Sequence, residues 1–463
     1  MGKLKRGFND FAKAIRRIVD AKLTDKDLKS VLEDREGKRK AGFIEQFPEL
    51  IDKEGHPQIF ELVDLQESFF QRFEKAIEEY DVYGLIALLS KFEYGLGECY
   101  KRKEHFEEDV EIYEALNSNL SETQIAIVPK VSCGWEHRQI RQGINNILQS
   151  FYYIDYKNFE SDYKITHYNI IKRGFLKNER VLKIAVSPVT KNETVKFSEP
   201  YSTVNEHTGE QQLVFRVDTV LNEQELTYQI INKIFKAGKE GADILVFPEM
   251  LGTEKMLETV LEAIRGEANA VPALIMFPSI WRKTENDENN ENFCPVIFRG
   301  REVLFTQKKY GDFHYEKNGF QVYEDINRKD GSEKEFHLIH IDGIGRICIV
   351  ICYDFLAEDI RKAIMENLKP TLICTPSFST GSFNFEILAQ AGFEASCNWA
   401  WCNTCSAMHQ TEKRENFQTV GMITTLSKKC DLKDVQTRCK GAADCIQDSC
   451  EECLYFAEIP LKI

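Results

Sequence analysis

No stretch of the 463-residue chain is apolar for the length a membrane-crossing helix needs, so a membrane span is not expected. A secretory leader is not expected either, because the opening MGKLKRGFNDFAKAIRRIVDAK scatters charges through every turn and has no apolar core. Gly2 lacks the Ser/Thr at position 6 that a myristoylation signal requires; Arg6 stands there. A cytoplasmic location is the expectation. Basic residues are also in deficit, 60 against 74 acidic ones, for a net charge of -14. A chain of that sign binds phosphate backbones poorly, so a nucleic-acid partner is not expected. Cysteine, by contrast, is plentiful at fourteen. Without an export signal these residues read as thiols rather than as a disulfide frame.

The charge is unevenly spread. Residues 1–40 hold 13 Lys/Arg and 7 Asp/Glu, a surplus of six positive charges that leaves about -20 for the remainder. Such a stretch is compatible with contact to nucleic acid, an anionic lipid surface or an acidic partner. The plainer reading, a solvated helix face, is preferred. With 43% hydrophobic and 29% charged residues, the chain is of ordinary globular composition, and its length allows two or three domains.

Two styles of sequence meet near residue 175. Before it, apolar residues recur at helical spacing: Phe8, Phe11, Ile15, Ile18 and Val19, then Leu28, Val31 and Leu32 after a helix start at Thr24, then Phe60, Val63, Phe69, Phe70, Phe73 and Ile77. Further helices are predicted over Tyr83–Leu96, Glu98–Leu116 and Trp135–Tyr153. After residue 180, short β-rich runs alternate with helices. Strands are predicted at Leu182–Val189, Ile244–Phe247, Ala273–Phe277, Pro295–Phe298, Glu302–Phe305, Phe336–Ile341, Ile347–Ile351, Thr371–Thr375, near Trp399–Cys405 and at Leu454–Ile459. Helices are expected at Asn222–Gly238, Leu251–Gly266, Ala357–Asn367 and Phe383–Ala395. That alternation argues for a layered α/β fold. Thr190–Phe215 is polar, weakly patterned, and reads as an insertion.

Three features stand out, each at the end of an apolar run. In Gly241-Ala242-Asp243-Ile244-Leu245-Val246-Phe247-Pro248-Glu249, the proline stops a buried strand and Glu249 emerges at its end. In Gly300-Arg301-Glu302-Val303-Leu304-Phe305-Thr306-Gln307-Lys308-Lys309, a strand ends on two lysines. In Arg346-Ile347-Cys348-Ile349-Val350-Ile351-Cys352-Tyr353-Asp354, a cysteine sits just before a helix, whose N-terminal partial charge favours a thiolate. Singly, these read as a capping carboxylate, a surface lysine and a packed thiol. Together, in the order Glu–Lys–Cys and all at strand ends, they make a set, because ligands and catalysts in α/β proteins gather at the carboxyl ends of strands.

These segments resemble the nitrilase superfamily of amidases, nitrilases and carbamoylases, over about 280 residues, roughly Val181 to Ile463. Phe247-Pro248-Glu249 resembles its glutamate motif and Ile351-Cys352-Tyr353-Asp354 its cysteine motif. Lys308, eight residues after Gly300, resembles its lysine; Lys309 is the alternative, since neighbours on a strand face opposite ways and only one can enter the site. Tyr315-Glu316-Lys317 resembles the surroundings of the family's second glutamate, which nominates Glu316. Pro376-Ser377 and Phe385-Glu386-Ile387-Leu388 continue the resemblance, while Gly392-Phe393-Glu394-Ala395-Ser396 departs from the family's Arg-Ala-x-Glu-Asn. The resemblance implies an α/β fold, a four-layer α-β-β-α sandwich over residues 176–463, preceded by a mostly α-helical region over 1–175. It implies hydrolysis of a non-peptide carbon–nitrogen bond in a small amide, carbamoyl compound or nitrile. Cys352 would be the nucleophile, Glu249 the proton carrier, Lys308 the oxyanion stabiliser and Glu316 its aligner, with Tyr353 and Tyr315 at the substrate. No metal or organic cofactor is called for, and a homo-oligomer is expected.

Rival readings remain. His314 and His409 are the nearest histidines for a Cys–His hydrolase, but neither lies in a recognisable motif. Cys397-x4-Cys402-x2-Cys405 and Cys445-x4-Cys450-x2-Cys453 share one spacing, with Cys430 and Cys439 nearby, and the CxxC steps could grip zinc or an iron–sulfur cluster. The first set falls where the family has a core strand. Finally, residues 1–175 could be a docking module for a protein partner, with the hydrolase fold serving assembly, as in fusions found among bacterial defence proteins. The intact Glu–Lys–Cys set favours activity.

Overall fold

The computed structural model describes residues 2–24, 27, 46–52, 56–58, 60, 65–102, 109–135, 143–145, 147–159, 163–205, 209–283, 290–326, 333–394, 396–411, 419–425, 434–435 and 453–461. The chain divides into two units. The first holds Met1–Val131, His137–Glu160 and His167–Ile170; the second holds Ser132–Glu136, Ser161–Thr166 and Ile171–Ile463. The boundary read from composition near 175 falls five residues beyond Ile170, the last residue of the first unit.

The first unit is built on helices that each bury one stripe. Helix α1 (Gly2–Asp20) turns Phe8, Phe11, Ala12, Ile15 and Ile18 inward at helical spacing. These pack with residues of α2 (Glu67–Glu79) and α3 (Val82–Arg102), where Phe69 and Phe73 meet Phe47, and Phe92 meets Phe73, in a phenylalanine-rich core. The predicted helices at Leu28–Leu32 and around Val63 lie outside the described residues. Two predictions fail here. Helix α3 ends at Arg102, and Val110–Tyr113 is a strand, β1. Within Trp135–Tyr153, Phe151 already opens β3 (Phe151–Asp155), which runs antiparallel to β2 (Ile125–Pro129). Both strands are almost wholly buried, and a short buried apolar run has no period that separates strand from helix. The Glu93 carboxylate of α3 fixes the approach to β3 by accepting from the backbone N–H groups of Gln149, Ser150 and Phe151 at 2.8, 2.7 and 3.1 Å. In β4 (Tyr163–Ile170), residues His167–Ile170 pair antiparallel with β1.

In the second unit, parallel strands are short and apolar on both faces, as strands covered on both sides must be. One sheet runs β12 (Ile280–Arg282), β13 (Glu291–Phe298), β11 (Leu274–Met276), β10 (Ile244–Val246), β5 (Val181–Val186), β23 (Tyr455–Pro460), with β14 (Glu302–Lys308) paired to β13. The other contains, in order, β17 (Lys334–Ile341), β18 (Gly345–Ile349), β19 (Leu372–Pro376), β20 (Asn398–Cys402), β21 (Gly421–Thr425) and β22 (Asp434–Val435). The sheets face each other where β5 meets β20 and β21, and where β10 meets β19 and β20. Helices α4 (Glu223–Lys239) and α5 (Glu254–Ile264) cover the outer face of the first sheet, burying Leu226, Ile230, Ile234, Val260 and Ile264 against Leu245, Ile275 and Ile297. Three short helices, α6 (Tyr353–Leu356), α7 (Glu358–Lys362) and α8 (Phe383–Glu394), lie with the second sheet, α8 over β20. The layers are α-β-β-α, the fold the motifs imply. At Gly238 on α4 an added Cβ would sit 2.0 Å from the Ala270 carbonyl oxygen, so only glycine permits this close approach of helix to loop.

The stretch Thr190–Phe215, expected to be unpatterned, is structured. It supplies β6 (Val195–Phe197), which pairs with β9 (Val217–Val220), and β7 (Tyr201–Val204) with β8 (Gln211–Phe215). Strand β8 runs parallel to β16 (Phe320–Glu324), which in turn pairs with β15 (His314–Lys317), making a four-stranded sheet. Polar outward faces hid this sheet from a hydrophobicity pattern. Among the described residues, no helix is long and apolar enough to cross a membrane.

Candidate active site

Each chemical group of the site follows the carboxyl end of a strand. Glu249 comes three residues after β10, and Cys352 three residues after β18. Phe378 comes two residues after β19, and Lys309 directly follows β14. Cys352 is the residue before α6 and has φ 43°, a region that a residue with a Cβ enters only at a cost of about 1–3 kcal/mol. Its backbone is held there by an N–H bond to the Pro376 carbonyl, 2.9 Å, and by Phe355 N–H donating to its own carbonyl, 3.0 Å. The turn thus places the sulfur at the tip between two strand ends. Sγ is 4.0 Å from the Phe378 carbonyl oxygen, and the residue is 5% exposed.

Glu249 is wholly buried. Its Oε2 accepts from Phe378 N–H at 2.9 Å; its Oε1 accepts from Lys309 Nζ and Asn292 Nδ2, both at 2.8 Å. Lys309 Nζ also donates to Glu324 Oε2 at 2.5 Å, and Asn292 Nδ2 lies 3.2 Å from Glu324 Oε1. Behind them, Ser279 Oγ donates to Asn292 Oδ1 at 2.7 Å and accepts from Met250 N–H at 2.8 Å. One ammonium and one amide therefore hold two carboxylates in fixed positions, the arrangement that makes buried charge tolerable.

The structure corrects two assignments read from the sequence. Lys308 does not enter the site: its side chain is 44% exposed and pairs with Glu291. Lys309, 1% exposed, occupies the position instead. The cause is register. Arg299 and Gly300 both have positive φ, 50° and 61°, and close a tight turn between β13 and β14. Beyond it Val296 pairs with Phe305 and Ile297 with Val303, so Leu304 is an extra residue in β14. That bulge moves the inward face by one position, to Phe305, Gln307 and then Lys309. Glu316 is likewise absent from the site. It is exposed on β15, while Glu324, at the end of the neighbouring β16, is 2% exposed and holds Lys309. The one available signal was that Val322 and Glu324 share a strand face with the buried end of β16.

Tyr353 follows Cys352 at the start of α6, and Tyr315 on β15 is 36% exposed. His314 packs against Tyr353, ring centres 5.9 Å apart, and His409 Nε2 is 3.0 Å from the Lys191 carbonyl. Residues not singled out beforehand complete the site: Asn292, and Asp354, whose carboxylate accepts from Tyr310 N–H at 3.0 Å and Gly311 N–H at 2.5 Å and so ties the loop after Lys309 to the helix after Cys352. Trp401 Nε1 donates to Ser377 Oγ at 2.9 Å, and Asn403 brackets Ser379 at both N–H and C=O, which steadies the Phe378 loop.

Burial pushes the Cys352 thiol well above its ordinary pKa; the Glu249 charge adds to this and Lys309 opposes it. Burial alone would lower the Lys309 ammonium, but Glu249, Glu324 and Cys352 outweigh it, and the ammonium is held firmly protonated. Burial pushes the Glu324 carboxyl up, against the pull of Lys309. Burial also lifts Asp354 to about 7, opposed by its backbone donors. Burial thus favours the neutral form of the Cys352 thiol, beside a lysine held as its ammonium.

Cys397 and Cys402 flank β20, and Cys405 opens the next turn; all three are buried. Cys430, Cys439, Cys445 and Cys450 lie outside the described residues. Among those described, no group of three or more His, Cys, Asp or Glu is placed to hold a metal ion.

No family model matches the sequence, and no curated protein matches it. Solved structures match part of the chain. An amidase from Nesterenkonia sp. is 15% identical, with a TM-score of 0.33, over 50% of this chain and 78% of that one. Nit3 of Saccharomyces cerevisiae, described as a member of branch 10 of the nitrilase superfamily, is 12% identical, with a TM-score of 0.37, over 62% and 92%. The NitFhit protein of C. elegans is 18% identical, with a TM-score of 0.39, over 61% of each chain. The second unit is an α-β-β-α sandwich that brings Glu249, Lys309 and Cys352 together at the ends of its strands.

Proposed function

We propose that the second unit hydrolyses a non-peptide carbon–nitrogen bond of a small amide, carbamoyl compound or nitrile through a thioester on Cys352. One observation carries this reading: among the described residues, the one thiol at a strained strand–helix turn shares its burial with a carboxylate that is itself clamped by a buried lysine. A neutral thiol needs a base at the moment of attack. Glu249 takes the Cys352 proton as Sγ bonds to the carbonyl carbon, and returns it to the nitrogen as the C–N bond breaks. The oxyanion forms where Lys309 and the backbone N–H of Tyr353 can stabilise it. Tyr353 begins α6, and a helix leaves its first N–H groups without intrahelical partners. Such a donor is worth roughly 3 kcal/mol in the transition state. Glu249 then deprotonates water for attack on the thioester, which releases the acid and restores the thiol. An amine in place of water would make the same intermediate a transferase. Glu324 holds Lys309 in place and is a positioning residue.

The test is intact-mass trapping of an acyl adduct on Cys352 with a panel of amides and nitriles. A mass gain that maps to Cys352 and is lost on adding hydroxylamine supports the thioester. Turnover that survives Cys352→Ala refutes it.

A further inference from the structure

Aromatic rings run in series from Tyr353 to Phe378, on either side of Cys352, and two of them, Phe197 and Phe215, come from strands that carry no catalytic group. Tyr353, the residue after Cys352, meets Phe313 with ring centres 6.2 Å apart. Phe313 meets Phe215 at 6.5 Å, Phe215 meets Phe197 at 5.5 Å, and Phe197 meets Phe378 at 5.5 Å. Phe378 closes the circuit, since its carbonyl oxygen is the atom 4.0 Å from Cys352 Sγ. Tyr315 thickens it, 5.5 Å from Phe215 and 6.4 Å from Phe313. The series of ring contacts therefore begins and ends on the residues flanking the sulfur.

Three properties separate this arc from ordinary core. Its rings are not all buried: Phe313 is 38% and Tyr315 36% exposed, and Phe197, Tyr353 and Phe378 are half-buried. The four contacts of the circuit are edge-to-face, at 83°, 76°, 75° and 73°, so each sets the edge of one ring against the face of the next. Ring faces and edges of opposite partial charge are what a planar aromatic guest recognises. And Phe197 and Phe215 belong to β6 and β8, in the polar stretch over 190–215, so these two apolar residues run against the character of their own segment.

We infer that this arc is the acyl-side specificity pocket, and that the substrate carries an aryl or similarly broad, flat apolar group on the carbonyl attacked by Cys352. The inference rests on the proposed hydrolase reading and adds its substrate class. The acyl side is assigned because the acyl group stays on sulfur through both half-reactions, beside Tyr353 and Phe378. The nitrogen leaves toward the proton on Glu249.

The experiment compares two electrophiles on the full chain, 2-chloroacetamide and 2-chloro-2-phenylacetamide. In each case sulfur displaces chloride to give a thioether. Cys352 labelling is followed by peptide mass, and each rate is divided by that reagent's rate with glutathione. The phenyl reagent should label Cys352 at least about tenfold faster on this scale. The advantage should fall toward one in both Phe313→Ala and Phe197→Leu, with a melting scan establishing that each variant is folded. A ratio near one in the parent chain, or one unchanged in both variants, overturns the inference while fast labelling by chloroacetamide leaves the hydrolase reading standing. Failure of both reagents to label Cys352 ahead of the other thiols overturns the two together.

Discussion

Lys309 Nζ lies 2.8 Å from Glu249 Oε1, a contact between residues sixty positions apart, while Lys308 beside it in sequence points the other way and pairs with Glu291 of β13. Adjacent lysines thus have unrelated roles. Replacing Lys309 with Met should lower kcat/KM by about a hundredfold or more. It should also destabilise the unit by roughly 3–5 kcal/mol, because Glu249 and Glu324 would face each other without a cation. Lys308→Ala loses a partly exposed pair and should change stability by less than about 1 kcal/mol and leave kcat within a factor of a few. Steady-state kinetics and urea denaturation of the two variants check this. Equal losses in both would sink the assignment of Lys309.

The neutral state of the Cys352 thiol gives a second prediction, with a sign that separates two mechanisms. Glu249→Gln removes a negative charge that helps push the thiol up, so the variant holds more thiolate at a given pH. If the thiolate formed in advance, acylation would speed up. With Glu249 as the base during attack, acylation slows by about a hundredfold or more. We expect the slowing, read as the burst rate of thioester formation. Cys352→Ala should abolish the burst altogether.

Asn292 offers a test of geometry rather than of chemistry. Its amide nitrogen donates to Glu249 at 2.8 Å and lies 3.2 Å from Glu324. Asn292→Asp replaces that donor with a third buried carboxyl beside a single lysine. We expect kcat to fall at least about tenfold. The stability deficit, a few kcal/mol, should grow as pH rises and the new carboxyl ionises. A variant with the parent's kcat and a pH-independent deficit would show that Asn292 merely fills space.

In the first unit, Asp10 on α1 is 1% exposed, and its Oδ2 accepts no hydrogen bond. Burial lifts its carboxyl to about 7, with the nearby Glu74 charge adding to the effect and Lys13 and Arg6 opposing it. The folded state therefore binds this proton more tightly than the unfolded chain does. Its penalty is absent below about pH 4, grows as pH rises, and is complete above about pH 7. Asp10→Asn should remove that dependence and stabilise the unit by roughly 2–4 kcal/mol at pH 8, with little change at pH 4. Denaturation midpoints of both proteins across that range test it; a constant difference would refute the buried-ionisation account.

Much of the candidate site was legible in the linear chain, for reasons that can be named. Glu249 and Cys352 each follow a short apolar run and a strand-stopping feature, and these local signals survive in any fold that buries the run. The alternating β/α pattern after residue 180 argued for a layered α/β fold, and the motif resemblance supplied the four-layer order. Helix α1 was equally plain, because its buried stripe repeats at 3.6 residues. Strands β2 and β3 were not, since a run buried all round loses its period, and β7, β8, β15 and β16 were hidden by their polar faces.

What the chain determined by itself was which residue types stand at the ends of its strands: a carboxylate, an ammonium and a thiol in a fixed order. Only the tertiary structure decided which of two lysines and which glutamates serve. A single extra residue at Leu304 reverses the facing of every side chain after it, and that bulge exists only once β13 and β14 pair. Glu324 is chosen by the pairing of β16 with β8, across more than a hundred residues of chain. Strand register and non-local pairing are set by the burial of whole faces at once, a sum over distant residues that no local window contains.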